Sequence, residues 1–232
     1  MLLHIDIAEN LELVRLAINR AARQAGRSAG EITLVGVTKT VAPDRIMVAI
    51  ERGLTDLGEN RVQEAAAKME VLGGIPINWH LIGTLQTNKV KYILPRVKLI
   101  HSLDRWALAK EIDSRAEKLR LRANCLVEVN VAGESSKAGR SPAEVYEFIR
   151  TVASDCPHVS ILGLMTVAPH VEHVEEVRPY FRQLRELFDS LAKQAEGYTM
   201  QHLSMGMSND FEVAIAEGAT IVRIGTAIFG RR

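Results

Sequence analysis

Lys39 ends the first strongly apolar β-type run, Ile32-Thr33-Leu34-Val35-Gly36-Val37-Thr38. Desolvation beside a buried sheet disfavours the ammonium form, which frees the amine to attack a carbonyl carbon and form a Schiff base. Far away in sequence, Thr220-Ile-Val-Arg-Ile-Gly-Thr-Ala-Ile-Phe-Gly230 reads as a last strand running into a turn of small residues. Backbone N–H groups in such a turn can hold a phosphate. A trapping lysine and a phosphate cup together point to pyridoxal 5'-phosphate (PLP). Taken alone, Lys39 has a plainer reading, a solvated lysine opening a loop.

The other polar residues carry two readings each. Arg223 lies between Val222 and Ile224, so its guanidinium faces either a barrel lumen or a helix layer and needs a partner in both cases. Leu203-Ser-Met-Gly-Met-Ser-Asn-Asp210 resembles a strand leading into a helix N-terminus, with hydroxyls and N–H groups aimed at an anion. The alternative is that Ser208 or Asn209 only caps the helix. Asn60 is equally suited to cap a helix from Arg61 and to touch a ligand. His80 and His101 lie inside strands and read as hydrogen-bonded core histidines. His170 and His173, among acids, read as solvated surface rather than a metal pair, and no metal is expected. Lys137 sits in a polar loop, Ala132-Gly-Glu-Ser-Ser-Lys-Ala-Gly139, as a second amine over the same face. Glu175, Glu176, Glu186 and Asp189 belong to a charged helix face.

These residues must be positioned by a strand-then-helix rhythm. A helix is expected over 7–25, where Leu11, Val14, Ile18, Ala21 and Ala25 recur every three or four residues and Gly26 stops it. Strands are expected at Ile32–Thr38, Asp56–Asn60, Trp79–Gly83, Lys98–Leu103, Cys125–Val131, Val159–Thr166, Tyr198–Met205 and Thr220–Gly225. Helices are expected to begin near Pro43, Arg61, Thr87, Arg105, Pro142, Val171 and Ser208, with Pro43 and Pro142 in first turns, where no N–H is needed. Eight strands alternating with helices, several nearly all apolar, predict an α/β fold, a (β/α)8 TIM barrel with an additional N-terminal helix. A doubly wound open sheet is the competitor, but no G-x-G-x-x-G follows the first strand. One domain over 1–232 is expected, without a linker. The carboxyl ends of the strands then carry Lys39, Glu59, Asn60, Gly83, Ser102, Asn130, Met165, Thr166, Ser204, Arg223, Gly225 and Thr226, polar where the strand middles are apolar.

Composition narrows the partners. With 47% hydrophobic and 25% charged residues over 232 positions the chain is an ordinary globular sequence. A formal charge of +1 gives no footprint for nucleic acid or an anionic membrane. Cys125 and Cys156 read as small buried hydrophobes in a reducing compartment. The N-terminus lacks a signal-peptide pattern and no apolar run is long enough to span a bilayer, so a cytoplasmic location is expected.

Seven motifs, in order, resemble the pyridoxal phosphate homeostasis protein family, small proteins similar to the N-terminal barrel of alanine racemase. They are Val37-Thr-Lys39, Gly58-Glu-Asn60, Trp79-His-Leu-Ile-Gly-Thr-Leu-Gln-Thr-Asn-Lys89, Glu134-Ser-Ser-Lys137, Gly163-Leu-Met-Thr166, Leu203-Ser-Met-Gly-Met-Ser208 and Arg223-Ile-Gly-Thr-Ala-Ile-Phe-Gly230. The resemblance implies a fold-type III PLP barrel in which Lys39 holds the cofactor as a Schiff base. It further implies Ser204, Gly225 and Thr226 at the phosphate, Arg223 facing the pyridine nitrogen, and Asn60 and Met165 around the ring.

On that basis the chain is expected to store, buffer or deliver PLP as a monomer, with apo pyridoxal enzymes as recipients, and not to be an enzyme. An arginine at the pyridine nitrogen disfavours its protonation and weakens the ring as an electron sink. Racemisation needs an acid–base group on each face of the α-carbon, and the racemases take one from a second domain for which this chain has no residues left. The alternatives are a PLP-dependent amino-acid racemase and, with no cofactor, a Schiff-base aldolase. A yellow colour separates the aldolase; loss of chirality or solvent-deuterium uptake separates the racemase.

Overall fold

The computed structural model describes residues 6–134 and 137–230. Ser135 and Ser136 of the Glu134-Ser-Ser-Lys137 motif lie outside the described residues. Eight parallel strands close into one barrel in chain order: β1 (Thr33–Val37), β2 (Asp56–Glu59), β3 (Asn78–Leu81), β4 (Leu99–Leu103), β5 (Ala123–Glu128), β6 (Val159–Met165), β7 (His202–Ser204) and β8 (Ile221–Ile224). The ring is shut by β1 on β8, with Val35 opposite Arg223. The open-sheet alternative is thereby excluded.

Alternation along the strands sorts residues between two apolar clusters. Val35, Leu99, Leu126, Met165 and Ile221 form a small cluster in the lumen. Their strand neighbours, such as Leu57, Cys125, Val127, Val222 and Ile224, join the much larger cluster beneath the helices. Those helices are α1 (Ile7–Gln24), α2 (Pro43–Glu51), α3 (Val62–Val71), α4 (Val90–Ile93), α5 (Trp106–Leu119), α6 (Pro142–Asp155), α7 (Arg178–Lys193), α8 (Phe211–Ala216) and α9 (Thr226–Phe229). Among the described residues no helix is long and apolar enough to cross a membrane.

The N-terminal helix is the expected addition. Asp6 accepts from the N–H groups of Ala8 and Glu9 at its start, and it buries Ile7, Leu11, Val14, Ile18, Ala21 and Ala22. Pro43 and Pro142 open α2 and α6 as expected.

Three elements differ from expectation. The helix expected from Thr87 is broken into two 3-10 turns around a single α turn, because Pro95 lacks the N–H needed to carry it on. The helix expected near Val171 begins as a 3-10 turn at Val174, with Pro179 in the first turn of α7. The seventh strand is only three residues, not Tyr198–Met205, since Tyr198 instead packs down and donates its hydroxyl to the Leu191 carbonyl at 3.1 Å. Next to it β6 bulges at Gly163, whose Cβ, if present, would lie 1.9 Å from the His202 carbonyl oxygen. Only glycine admits that approach.

Candidate functional site

Lys39 stands in the turn directly after β1, at the carboxyl-end mouth of the barrel, and is exposed. The desolvation expected for it is therefore not supplied by the chain; the strand ends at Val37 and the buried position falls to Thr38. Lys39 has no hydrogen bond or ion pair among the described residues. The buried lysine nearby is Lys68 of α3, 6% exposed, which sequence reasoning missed. Its Nζ donates to the Thr38 carbonyl at 2.6 Å, to Glu59 Oε1 at 2.7 Å and to Glu64 Oε1 at 2.6 Å. Glu64 also accepts from the Thr40 N–H, and Glu59 from the Thr38 hydroxyl at 2.6 Å. Both neighbours of Lys39 are thus pinned from below, and Thr40 is held in the left-handed region at φ 60°. Burial pushes the Glu59 carboxyl up against the opposing pull of Lys68 and Thr38.

Arg223 shares the inward face of Ile221, so the lumen is its environment and not the helix layer. Its Nη1 donates to Ser204 Oγ at 2.6 Å and its Nη2 to the Thr166 carbonyl at 2.8 Å. Burial draws it down to about 10, with Asp210 and Glu128 pulling the other way. Glu128, at the end of β5, is a second charged lumen residue. Burial and the Asp104 charge push its carboxyl up to about 7 against the pull of Arg223, and its Oε2 is buried with no partner. Met165 is 1% exposed and packs in the lumen cluster.

Ser204 has other partners than expected. It is fully buried, and its hydroxyl is taken up by Arg223 and by His101 Nδ1 at 3.0 Å. The serine that meets the small-residue turn is Ser208, whose Oγ accepts from the Ala227 N–H at 3.3 Å. Neither Ser208 nor Asn209 caps α8; Asp210 holds that place. Gly206 lets the loop fold this way at φ 90°, where a Cβ would lie 2.5 Å from Ala214 Cβ. Gly225 is buried and Thr226 exposed at the start of α9, whose first amides have no partner within the helix. The turn is tied down by Arg45 to the Phe229 carbonyl at 2.6 Å and by Asn10 of α1 to the Ile228 carbonyl at 3.1 Å. Asn60 is not the cap of α3, a place Arg61 takes, and its Oδ1 is buried without a partner.

The structure therefore gathers Lys39, Asn60, Met165, Arg223, Gly225 and Thr226 at the mouth and upper lumen and adds Glu128, Ser208 and the Lys68 clamp. A signal existed for two of these. Glu128 lies between Val127 and Val129 just as Arg223 lies between two aliphatic residues, and Glu64 and Lys68 have the helical i,i+4 spacing. His80 and His101 are core histidines bonded to each other at 2.9 Å. Lys137 is paired with Glu134 at 2.8 Å. His170 and His173 are exposed, and no group of three or more metal-ligating side chains occurs among the described residues.

Residues 14–232 match the family model described as alanine racemase, N-terminal domain. The chain is 50% identical to the pyridoxal phosphate homeostasis protein of Aquifex aeolicus over 228 residues, covering 98% of this chain and 99% of that one. It is 39% identical to the protein of that name from Escherichia coli, covering 98% and 97%. The structure is similar to PipY of Synechococcus elongatus with PLP bound, with a TM-score of 0.84, 34% identity and coverage of 97% and 100%. An alanine racemase of Clostridium difficile shares the fold, with a TM-score of 0.75 at 16% identity over 57% of its length.

Proposed function

Because the chain belongs to the pyridoxal phosphate homeostasis protein family, we propose that it holds PLP covalently on Lys39 and takes part in PLP storage, buffering or delivery rather than in turnover. The observation that carries this is a lysine with no partner among the described residues, at the mouth end of β1, the strand paired with β8 that leads into the small-residue turn. The residues fit the group. Among the described residues Lys39 has no competing partner, and Asn60 Oδ1 and Glu128 Oε2 are buried polar atoms suited to a polar ligand. When bound, PLP supplies an aldehyde that a primary amine can hold and another amine can take over.

The chain's residues divide the remaining work. The Lys68 clamp fixes the backbone on both sides of Lys39, so its amine has a defined origin at the mouth. Ser208 and the Gly225–Ala227 turn hold the phosphate, in place of Ser204, with Thr226 as a further hydroxyl. Arg223, unable to accept a hydrogen bond, keeps a ring nitrogen free of its proton. Asn60 and Met165 flank the ring. Exposure of Lys39 leaves the site open to water and amines, which suits release and denies the water exclusion that carbanion chemistry needs. Apo pyridoxal enzymes are the recipients, in the cytosol, from a monomeric carrier.

The test is direct. Purified protein should be yellow, and borohydride should fix pyridoxal mass on the peptide bearing Lys39, with Lys39→Ala colourless. Label on Lys89 or Lys137 with Lys39 unmodified would refute the assignment. Loaded protein should activate an apo pyridoxal enzyme while alanine keeps its chirality; robust racemisation lost in Lys39→Ala would favour the racemase reading instead.

A further inference from the structure

A line of buried polar side chains runs through the lumen from beneath the site to the opposite end of the barrel. Arg223 Nη1 meets Ser204 Oγ at 2.6 Å, and Ser204 Oγ meets His101 Nδ1 at 3.0 Å. His101 Nε2 meets His80 Nδ1 at 2.9 Å, and His80 Nε2 meets Asp56 Oδ1 at 2.9 Å. Asp56 starts β2 and is braced by Thr55 at 2.8 Å, Asn78 at 3.3 Å and the half-exposed Lys98 at 3.4 Å.

The two ends fix the sense of every link. A guanidinium can only donate and a carboxylate can only accept. Burial would raise the Asp56 carboxyl, but the bonds from His80, Thr55 and Asn78 outweigh it and hold the group ionised. His80 must then carry its proton on Nε2. Full burial, with the Arg223 guanidinium on the same line, keeps His101 well below the ordinary histidine range, so it is neutral. Every link is satisfied when His80 Nδ1 accepts from His101 Nε2–H, His101 Nδ1 accepts from the Ser204 hydroxyl, and Ser204 accepts from Arg223. In this sense all four ring nitrogens and the Ser204 hydroxyl are satisfied. A doubly protonated His80 ring would reverse its link to His101, and the Ser204 hydroxyl, with no third partner among the described residues, would be stranded in the core.

We infer that Asp56, His80, His101 and Ser204 are positioning residues, a one-way hydrogen-bond chain that holds Arg223 in the place where it meets the ring nitrogen of the ligand. The role rests on the PLP reading above. With Nη1 committed to Ser204 and Nη2 to Thr166, the guanidinium is held in one orientation. The chain reads the ring nitrogen and leaves the phosphate and aldehyde to other residues.

Nitrogen-15 imidazole spectra of the ligand-free protein at neutral pH test the chain itself. Both His80 and His101 should show a protonated Nε2 and a bare Nδ1; an Nδ1–H form or a charged ring at either position would overturn the assignment. Its role is tested with PLP and with an analogue whose ring nitrogen is replaced by C–H. Ser204→Ala should weaken PLP binding roughly tenfold and leave the analogue within about threefold. Ser204→Thr, which keeps the hydroxyl, should restore the preference. Leu126→Ala, a lumen truncation outside the chain, should shift both ligands alike, which calibrates loss of stability. Equal losses for both ligands in Ser204→Ala overturn the role alone. A wild-type protein that takes up neither ligand overturns the proposed function and this role together.

Discussion

At Glu128 burial competes with charge, and the outcome is readable as pH dependence. Its carboxyl is pushed up to about 7, so the folded state keeps a proton that the unfolded chain releases in the ordinary carboxylate range. Between those two pH values the native state binds more protons, and stability must fall as pH rises. Glu128→Gln removes that loss. Between about pH 5 and about pH 8 the urea midpoint should fall further, or rise less, for the wild type than for the variant, since the other titrating groups are common to both; parallel changes would show that the carboxyl is not held up. At Lys68 the charge is paired, and leaving Glu59 without it exposes the cost of a buried carboxylate. Lys68→Met should destabilise by about 3–5 kcal/mol. Hydrogen exchange should also speed up at the Thr40 amide, which Glu64 holds. Unchanged exchange there would mean that the clamp does not order the Lys39 turn.

The β7–α8 loop and the β8–α9 turn form the cup together, one supplying Ser208 and the other the Ala227 amide. Each depends on a backbone that side chains would spoil. Gly206→Ala places a Cβ at φ 90° with 2.9 Å to Phe211 Cα, so the loop must shift. A loss of about 1–3 kcal/mol is expected. On the proposed phosphate site, PLP affinity should fall more than that of unphosphorylated pyridoxal. Thr226→Val and Ser208→Ala should show the same selectivity, with charge-assisted bonds worth about 1.5–3 kcal/mol each. Isothermal titration with both ligands checks this, and equal losses would put the phosphate elsewhere.

For the molecule as a whole, α1 joins the beginning of the barrel to its last turn. Asn10 reaches the Ile228 carbonyl, and Leu11, fully buried, packs in the main core. Leu11→Ala should cost about 2–5 kcal/mol in global stability, read by denaturant unfolding. A ligand that binds only the folded state stabilises all of it, by about 2.7 kcal/mol at a hundredfold excess over its dissociation constant. Melting temperature should thus rise with PLP concentration in the wild type and much less in Ser208→Ala.

How much of this was legible without coordinates differs by kind of information. Strand number, the barrel and the extra helix follow from period and position, while the charged Arg223 between two aliphatics had two places to go, lumen or helix layer, and the closed ring put it in the lumen. Lys39 and the small-residue turn stood out by residue type and position, and the resemblance assigned roles to the residues around them. Strand and helix edges were less legible, because Pro95 and Tyr198 act through local backbone and packing that period does not report. The partners of Ser204 and Ser208 were beyond reach. The two serines are four residues apart in one motif, and only closure of β7 against β8 sends the first into the lumen and the second to the cup. Likewise the sequence marked His80 and His101 as core residues. Their alignment with Asp56, Ser204 and Arg223 is set by the register of five strands around a closed ring, a quantity that exists only once the ring has closed.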